Sequence, residues 1–88
     1  MKAIEFASYG VPHEVCRCVD VADVGPPGPG EVIVDILASA INPADLLIVE
    51  GRYPGPAALP ARLGIEGVGR VAMVGENAES LAVGDHVV

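Results

Sequence analysis

Three side chains in the middle of this sequence could act on a small molecule: the amide of Asn42, the carboxylate of Asp45 and the phenol of Tyr53. A phenol stays protonated at neutral pH, so Tyr53 could donate a hydrogen bond or a proton without help from a metal. It could equally be a rim tyrosine with its hydroxyl in water. Asn42 precedes Pro43 and so reads as a helix N-cap, and Asp45 then falls in the first turn, where the helix dipole favours a carboxylate. Asp45 is either structural in this way or part of a cleft wall.

Other reactive types do not assemble. His13 and His86 are separated by the length of the chain and have no carboxylate at ligand or triad spacing, so both read as surface or edge residues. No Ser/His/Asp order or Cys/His pair stands out. Cys16 and Cys18 lie two apart on an expected strand, which puts both on one face, where disulfide geometry is rarely met. With no CxxC and no second pair, they read as small, partly buried residues of a reducing compartment. Glu66 is expected to pair with Arg62 or Arg70. Gly67-Val68-Gly69-Arg70-Val71-Ala72 satisfies the G-x-G-x-x-A form of the dinucleotide fingerprint. Its glycines, however, lie in or just before a strand that ends at Gly75-Glu76-Asn77, with no helix N-terminus to hold a pyrophosphate. They read instead as places of bending and close backbone approach.

The elements that must position these residues are mostly strands. Met1 to Phe6 alternates as an opening strand, and Ser8 to Pro12 breaks it with turn chemistry. Glu14 to Val24 follows as its hairpin partner and runs into Gly25-Pro26-Pro27-Gly28-Pro29-Gly30, a stiff loop that cannot continue a ladder. Glu31 to Ser39 is β-branched and nearly continuous in apolar character, which predicts a central strand covered on both faces. A short helix follows from Asn42 and is stopped by Gly51. Residues 52–61 form an irregular excursion with three prolines, and Gly64 to Val74 returns to strand. After turns at 75–80 and 84–85, His86-Val87-Val88 begins a strand with no partner, turn or cap after it, which is expected of a piece of a longer protein.

A chain of 88 residues is at most one small domain, and such a domain buries only about 60% of the surface its unfolded chain exposes. Half of it is apolar (51%), yet the aromatics are only Phe6, Tyr9 and Tyr53, so the core is expected to be aliphatic and β-rich. Twelve acidic against five basic residues give a net charge of -7, which repels phosphate backbones and anionic bilayers; nucleic acid and membrane are not expected partners. Arg52, Arg62 and Arg70 could meet an anionic ligand tail or simply be solvated. No secretory leader or membrane-length apolar run is visible, and the expected location is cytoplasmic.

Asn42-Pro43-x-Asp45, then Gly51-x-Tyr53-Pro54, then Gly64-Ile65-Glu66-Gly67-Val68-Gly69, resembles the start of the catalytic domain of medium-chain dehydrogenases/reductases. The resemblance runs through Gly-Asp-His-Val-Val at 84–88 and is to the GroES-like (chaperonin-10-like) N-terminal domain of that family. It implies a mainly β fold, a partly open β-barrel with one short helix, followed in the family by a Rossmann domain that is absent from these residues. Where the zinc alcohol dehydrogenases carry a metal-binding Cys and a His-Glu pair, this chain has Asn42 and Ile65-Glu66, so the resemblance is to the zinc-free branch and implies no zinc.

Within that branch the motifs are most similar to 2-enoyl thioester (enoyl-CoA or acyl-carrier) reductases, and next to quinone oxidoreductases. The resemblance to the enoyl reductases implies NADPH as hydride donor, bound mainly by the Rossmann domain. It implies Tyr53 as the catalytic residue, Asn42 reaching the nicotinamide or substrate, and Asp45 at the substrate cleft. It further implies an acyl-thioester or other small-molecule substrate and a homodimeric full-length enzyme. Residues 1–88 alone are expected to be inactive, because the hydride donor has no site here, and to self-associate through exposed edges. Alternatives from the same family are a quinone reductase and an alcohol dehydrogenase-like protein without catalytic zinc. A stand-alone binding or assembly barrel is the alternative from another class.

Overall fold

The computed structural model describes residues 1–88, which fall into two compact units. One comprises Met1–Ala22 and Ile41–Ile65, the other Asp23–Ala40 and Glu66–Val88. No helix is long and apolar enough to cross a membrane.

The first unit is an antiparallel sheet of order β2-β1-β4 with two short helices, built from β1 (Lys2–Phe6), α1 (Pro12–Val15), β2 (Cys16–Asp20), α2 (Pro43–Val49) and β4 (Ala61–Arg62). The hairpin pairs Lys2 with Asp20, Ile4 with Cys18 and Phe6 with Cys16. The expected partner of β1 is therefore present. The turn region before it holds a helix that the sequence reading had not placed: α1 has Val11 as its extended N-cap and Pro12 in its first turn. Its four residues are too few to show a 3.6-residue period, although proline is suited to that first position. Two residues of β4 pair with the other side of β1, and Leu63 N–H extends the ladder to the Ile4 carbonyl at 3.0 Å. Phe6, on the middle strand, is 1% exposed, and its ring lies 6.0 Å from that of Tyr9 at a tilt of 60°. Both distance and tilt are those of a favourable aromatic pair.

The second unit is an antiparallel sheet of order β3-β5-β6, with β3 at Val32–Ala38, β5 at Val68–Val74 and β6 at His86–Val87. The strand expected to be central, β3, is an edge, and its second half is exposed, with Ile36 at 65% and Leu37 at 61%. The middle position belongs to β5. Its buried Gly69 lets β3 approach so closely that a Cβ there would overlap Val34 Cγ1 and stand 2.6 Å from the Asp35 carbonyl oxygen. The register slips between Ile33 and Val34 and again between Ile36 and Ala38, leaving Ala72 on β5 and then Leu37 on β3 without an opposite residue. The last strand does have a partner: Val87 pairs with Gly69 and His86 with Arg70. Arg70 stands opposite Asp35 on its other side in the ladder, and the expected ion pair of Glu66 with Arg62 or Arg70 is not formed.

The Pro/Gly loop is fastened to the end of β5. Gly75 N–H donates to the Glu31 carbonyl at 2.8 Å, Gly30 N–H to the Glu76 carbonyl at 2.6 Å, and the Glu31 carboxylate accepts from Gly28 N–H at 2.8 Å. Gly75 is required here, since a Cβ would run into the Gly28 carbonyl oxygen and lie 2.9 Å from that of Glu31.

The expected class, mainly β with the chain path of a GroES-like domain, is the one observed. It takes the form of two open three-stranded sheets with two short helices, where a partly open barrel with one helix was anticipated.

Candidate functional site

All three side chains singled out in the sequence lie in the first unit, at the two ends of α2. At the N-terminal end Asn42 is extended (φ -97°, ψ 153°) and Pro43 occupies the first turn, as the sequence predicts. The capping bond is made by Asp45: Asn42 N–H donates to Asp45 Oδ2 at 2.9 Å, and Asp45 N–H donates to the Asn42 carbonyl at 3.0 Å. The carboxylate thus satisfies an amide that precedes the helix and sits where the dipole stabilises its charge. Asp45 is only 2% exposed.

Two polar atoms at this end are left over. Asn42 Nδ2 and Asp45 Oδ1 are both buried and have no hydrogen-bond partner in the protein. A buried polar atom without a partner costs on the order of 1–3 kcal/mol, so a donor and an acceptor are held ready for a water or a ligand group. The two residues form a capping box, and the Nδ2 group of Asn42 is left over from it.

At the other end the helix stops abruptly. Gly51 N–H donates to the Ile48 carbonyl at 3.1 Å and Arg52 N–H to the Leu47 carbonyl at 2.9 Å, the paired bonds of a Schellman motif. Gly51 takes φ +77°, the left-handed conformation this stop requires, and the Tyr9 ring lies 3.6 Å from where its Cβ would be. A further bond from Gly10 N–H to the Val49 carbonyl at 3.0 Å ties the segment after β1 to the same helix end.

Tyr53 follows two residues after this stop. It is 52% exposed and lies on the irregular loop, which folds back so that a Cβ on Gly55 would come 3.1 Å from Ile48 Cγ2. The phenol is thus on the surface of a loop whose start is fixed, not in packed interior.

The structure brings Asn42 and Asp45 together and keeps Tyr53 apart from them. About 9 Å of helix axis separates Asp45 from Gly51 at 1.5 Å per residue, and no hydrogen bond joins the phenol to either residue. A cleft of about 370 Å³ beside the loop is lined by Gly10, Val11, Glu50 and Arg52. Arg52 faces Glu50 there, Nε to Oε2 3.6 Å, while 75% of its side chain is exposed. The sequence offers Arg52 as a potential contact for an anionic tail, but reads the segment around Gly10 only as a turn. The signal available was the aromatic at position 9, one of three in the chain, beside a glycine that a helix end must abut.

Residues 28–88 match the alcohol dehydrogenase GroES-like domain. Over 87 residues, the chain is 40% identical to a mitochondrial enoyl-[acyl-carrier-protein] reductase of Caenorhabditis elegans, covering 99% of this chain and 25% of that protein. Among solved structures it is similar to the quinone oxidoreductase of Escherichia coli complexed with NADPH, with a TM-score of 0.86, 36% identity, and coverage of 98% of this chain and 26% of that one. It is also similar to the mitochondrial 2-enoyl thioester reductase Etr1p/Etr2p heterodimer of Candida tropicalis, with a TM-score of 0.77, 34% identity, and the same coverage of 98% and 26%. The chain belongs to the medium-chain dehydrogenase/reductase family, as a GroES-like domain from its oxidoreductase branch without the zinc-ligand motif. It spans about a quarter of the length of the relatives it matches.

Proposed function

We propose that this chain is the N-terminal substrate domain of a longer NADPH-dependent reductase that saturates the double bond of a 2-enoyl thioester. The observation that carries the reading is Tyr53: a phenol with no partner in the protein, half exposed, two residues after a helix end held by two backbone bonds. In this reading the nicotinamide supplies a hydride to the β-carbon of the conjugated thioester. Tyr53 donates a hydrogen bond to the carbonyl oxygen on which negative charge develops, and is the acid from which the α-carbon is protonated.

The residues of α2's N-terminal end fit such a pair of ligands. Asn42 Nδ2 is a buried donor awaiting an acceptor, of the kind a cofactor carboxamide or a substrate carbonyl offers; Asp45 Oδ1 is a buried acceptor awaiting a donor. Asn42 binds and orients, while Asp45 holds Asn42 in place by accepting from the Asn42 backbone N–H. Residues 1–88 by themselves do not turn over, because the hydride donor's main binding surface lies elsewhere and proximity supplies most of the rate.

The test is the longer protein carrying Tyr53→Phe. Crotonyl thioester turnover should fall by about 10²-fold or more, the usual effect of losing a general acid, with KM little changed. Full turnover in this variant would remove Tyr53 from the mechanism. A second reading, reduction of small quinones, is favoured by the likeness to the Escherichia coli quinone oxidoreductase. It predicts turnover of a quinone at least as fast as that of any thioester, and indifference to acyl chain length.

A further inference from the structure

We infer that Tyr9 is a positioning residue for Tyr53: its ring props the point at which the chain leaves α2 toward the phenol, a role that rests on the function given to Tyr53 above.

Tyr53 needs such a prop. Its side chain is 52% exposed, and it follows two residues after Gly51. Glycine adopts positive and negative φ about equally readily, so a chain that leaves a helix through glycine has little preferred direction of its own. Here Gly51 is held at φ +77°. The bonds from Gly51 and Arg52 N–H close the helix end from within, and Tyr9 supplies the contact from outside. A Cβ at Gly51 would stand 3.6 Å from Cγ and Cδ1 of Tyr9 and 3.7 Å from its Cβ. The ring therefore covers the side of Gly51 on which any other residue would carry its own side chain.

The prop is itself anchored twice. Its ring lies 6.0 Å from that of Phe6, which is 1% exposed on the middle strand of the sheet. The next residue, Gly10, donates its N–H to the carbonyl of Val49, the last residue of α2, at 3.0 Å. The cleft beside the loop is lined by two residues from each of the segments so joined, Gly10 and Val11 from one, Glu50 and Arg52 from the other. Contacts thus run unbroken from the core through Phe6, Tyr9 and Gly51 to the start of the loop that bears Tyr53. The atoms of Tyr9 that meet Gly51 are the Cβ and the near edge of the ring, and the hydroxyl is not among them. A benzyl side chain suffices for this task.

The experiment is steady-state reduction of a crotonyl thioester by the longer protein carrying Tyr9→Ala, Tyr9→Leu, Tyr9→Phe, Tyr53→Phe, or Tyr9→Ala with Tyr53→Phe, each with its melting temperature. A displacement of about 1 Å at a reacting group can cost about a hundredfold in rate. Tyr9→Ala should accordingly lower kcat by about tenfold to a hundredfold, with KM changed by less than about threefold. Tyr9→Leu keeps apolar volume against Phe6 and so guards against a loss of folding; it should still lower kcat by about tenfold. Tyr9→Phe should recover most of the loss. In the double variant, Tyr9→Ala should lower kcat by less than about twofold beyond Tyr53→Phe alone, because a residue that acts through the phenol has nothing left to position. An additive loss in the double variant would overturn the inference and leave the role of Tyr53 standing. So would parental kcat in Tyr9→Leu, or a Tyr9→Phe variant as impaired as Tyr9→Ala. Full turnover in Tyr53→Phe would overturn both.

Discussion

The unit that carries β1, β2 and β4 fully buries Phe6, Val49 and Asp45, whereas the unit built on β3, β5 and β6 has Val71 as its one fully enclosed apolar side chain. The second is held where side chains are missing: Gly69 admits β3, and Gly75 admits the loop at Gly28. One unit closes around what its residues add, the other around what they leave out. This separates the two kinds of information in the chain. Candidate chemistry, at Asn42, Asp45 and Tyr53, belongs wholly to the unit with enclosed side chains.

Three substitutions test that contrast. The largest effect is expected from Phe6→Ala, which removes an aromatic ring 1% exposed at the middle strand of its sheet. Such a loss costs about 3–5 kcal/mol, a large part of the 5–15 kcal/mol that small domains possess. Urea unfolding should show a much lower midpoint, with amide exchange accelerated first in β1 and β2. Next is Gly75→Ala, where the added methyl meets backbone oxygens that cannot swing aside. Its cost should be about 1–3 kcal/mol, or roughly 4–8 °C of melting temperature per kcal/mol, with faster exchange confined to Glu31, Gly75 and β5. If both variants loosened both units equally, the contrast would fail. The smallest is Asp45→Ala, which takes the partner from the Asn42 N–H and should cost about 1–2 kcal/mol, read as fraying of α2's first turn by exchange. Asp45→Asn, which keeps an acceptor oxygen, should recover more than half of that loss.

Local signals carried most of the architecture. Alternation found β1 and β2, β-branched runs found β3 and β5, and Asn42-Pro43 with Gly51 bounded α2 at both ends. The strand beginning at His86 was legible too, but α1 and the two-residue β4 were not, because one turn of helix or two paired residues leave no period to detect. It misjudged β3 because apolar continuity reports what a strand could bury, while its place in the sheet depends on which neighbour permits close approach. That neighbour is Gly69, seen in advance as a close-approach glycine but not as the reason β5 takes the middle. For the site, the three residue types and the N-cap position were readable. That Asp45 would supply a capping bond while Asn42 Nδ2 stays buried without a partner depends on side-chain burial that no spacing encodes.

The two slips of register along β3 bear on how this chain behaves in a crowd. Ile36 and Leu37 expose apolar side chains on this edge strand, the sort of segment on which copies of a protein stack into fibres. A template must be straight to be copied, and here Leu37 bulges out of step just where a second strand would dock. The irregularity that spoils the ladder at this point therefore also guards the chain against growing along its own exposed margin.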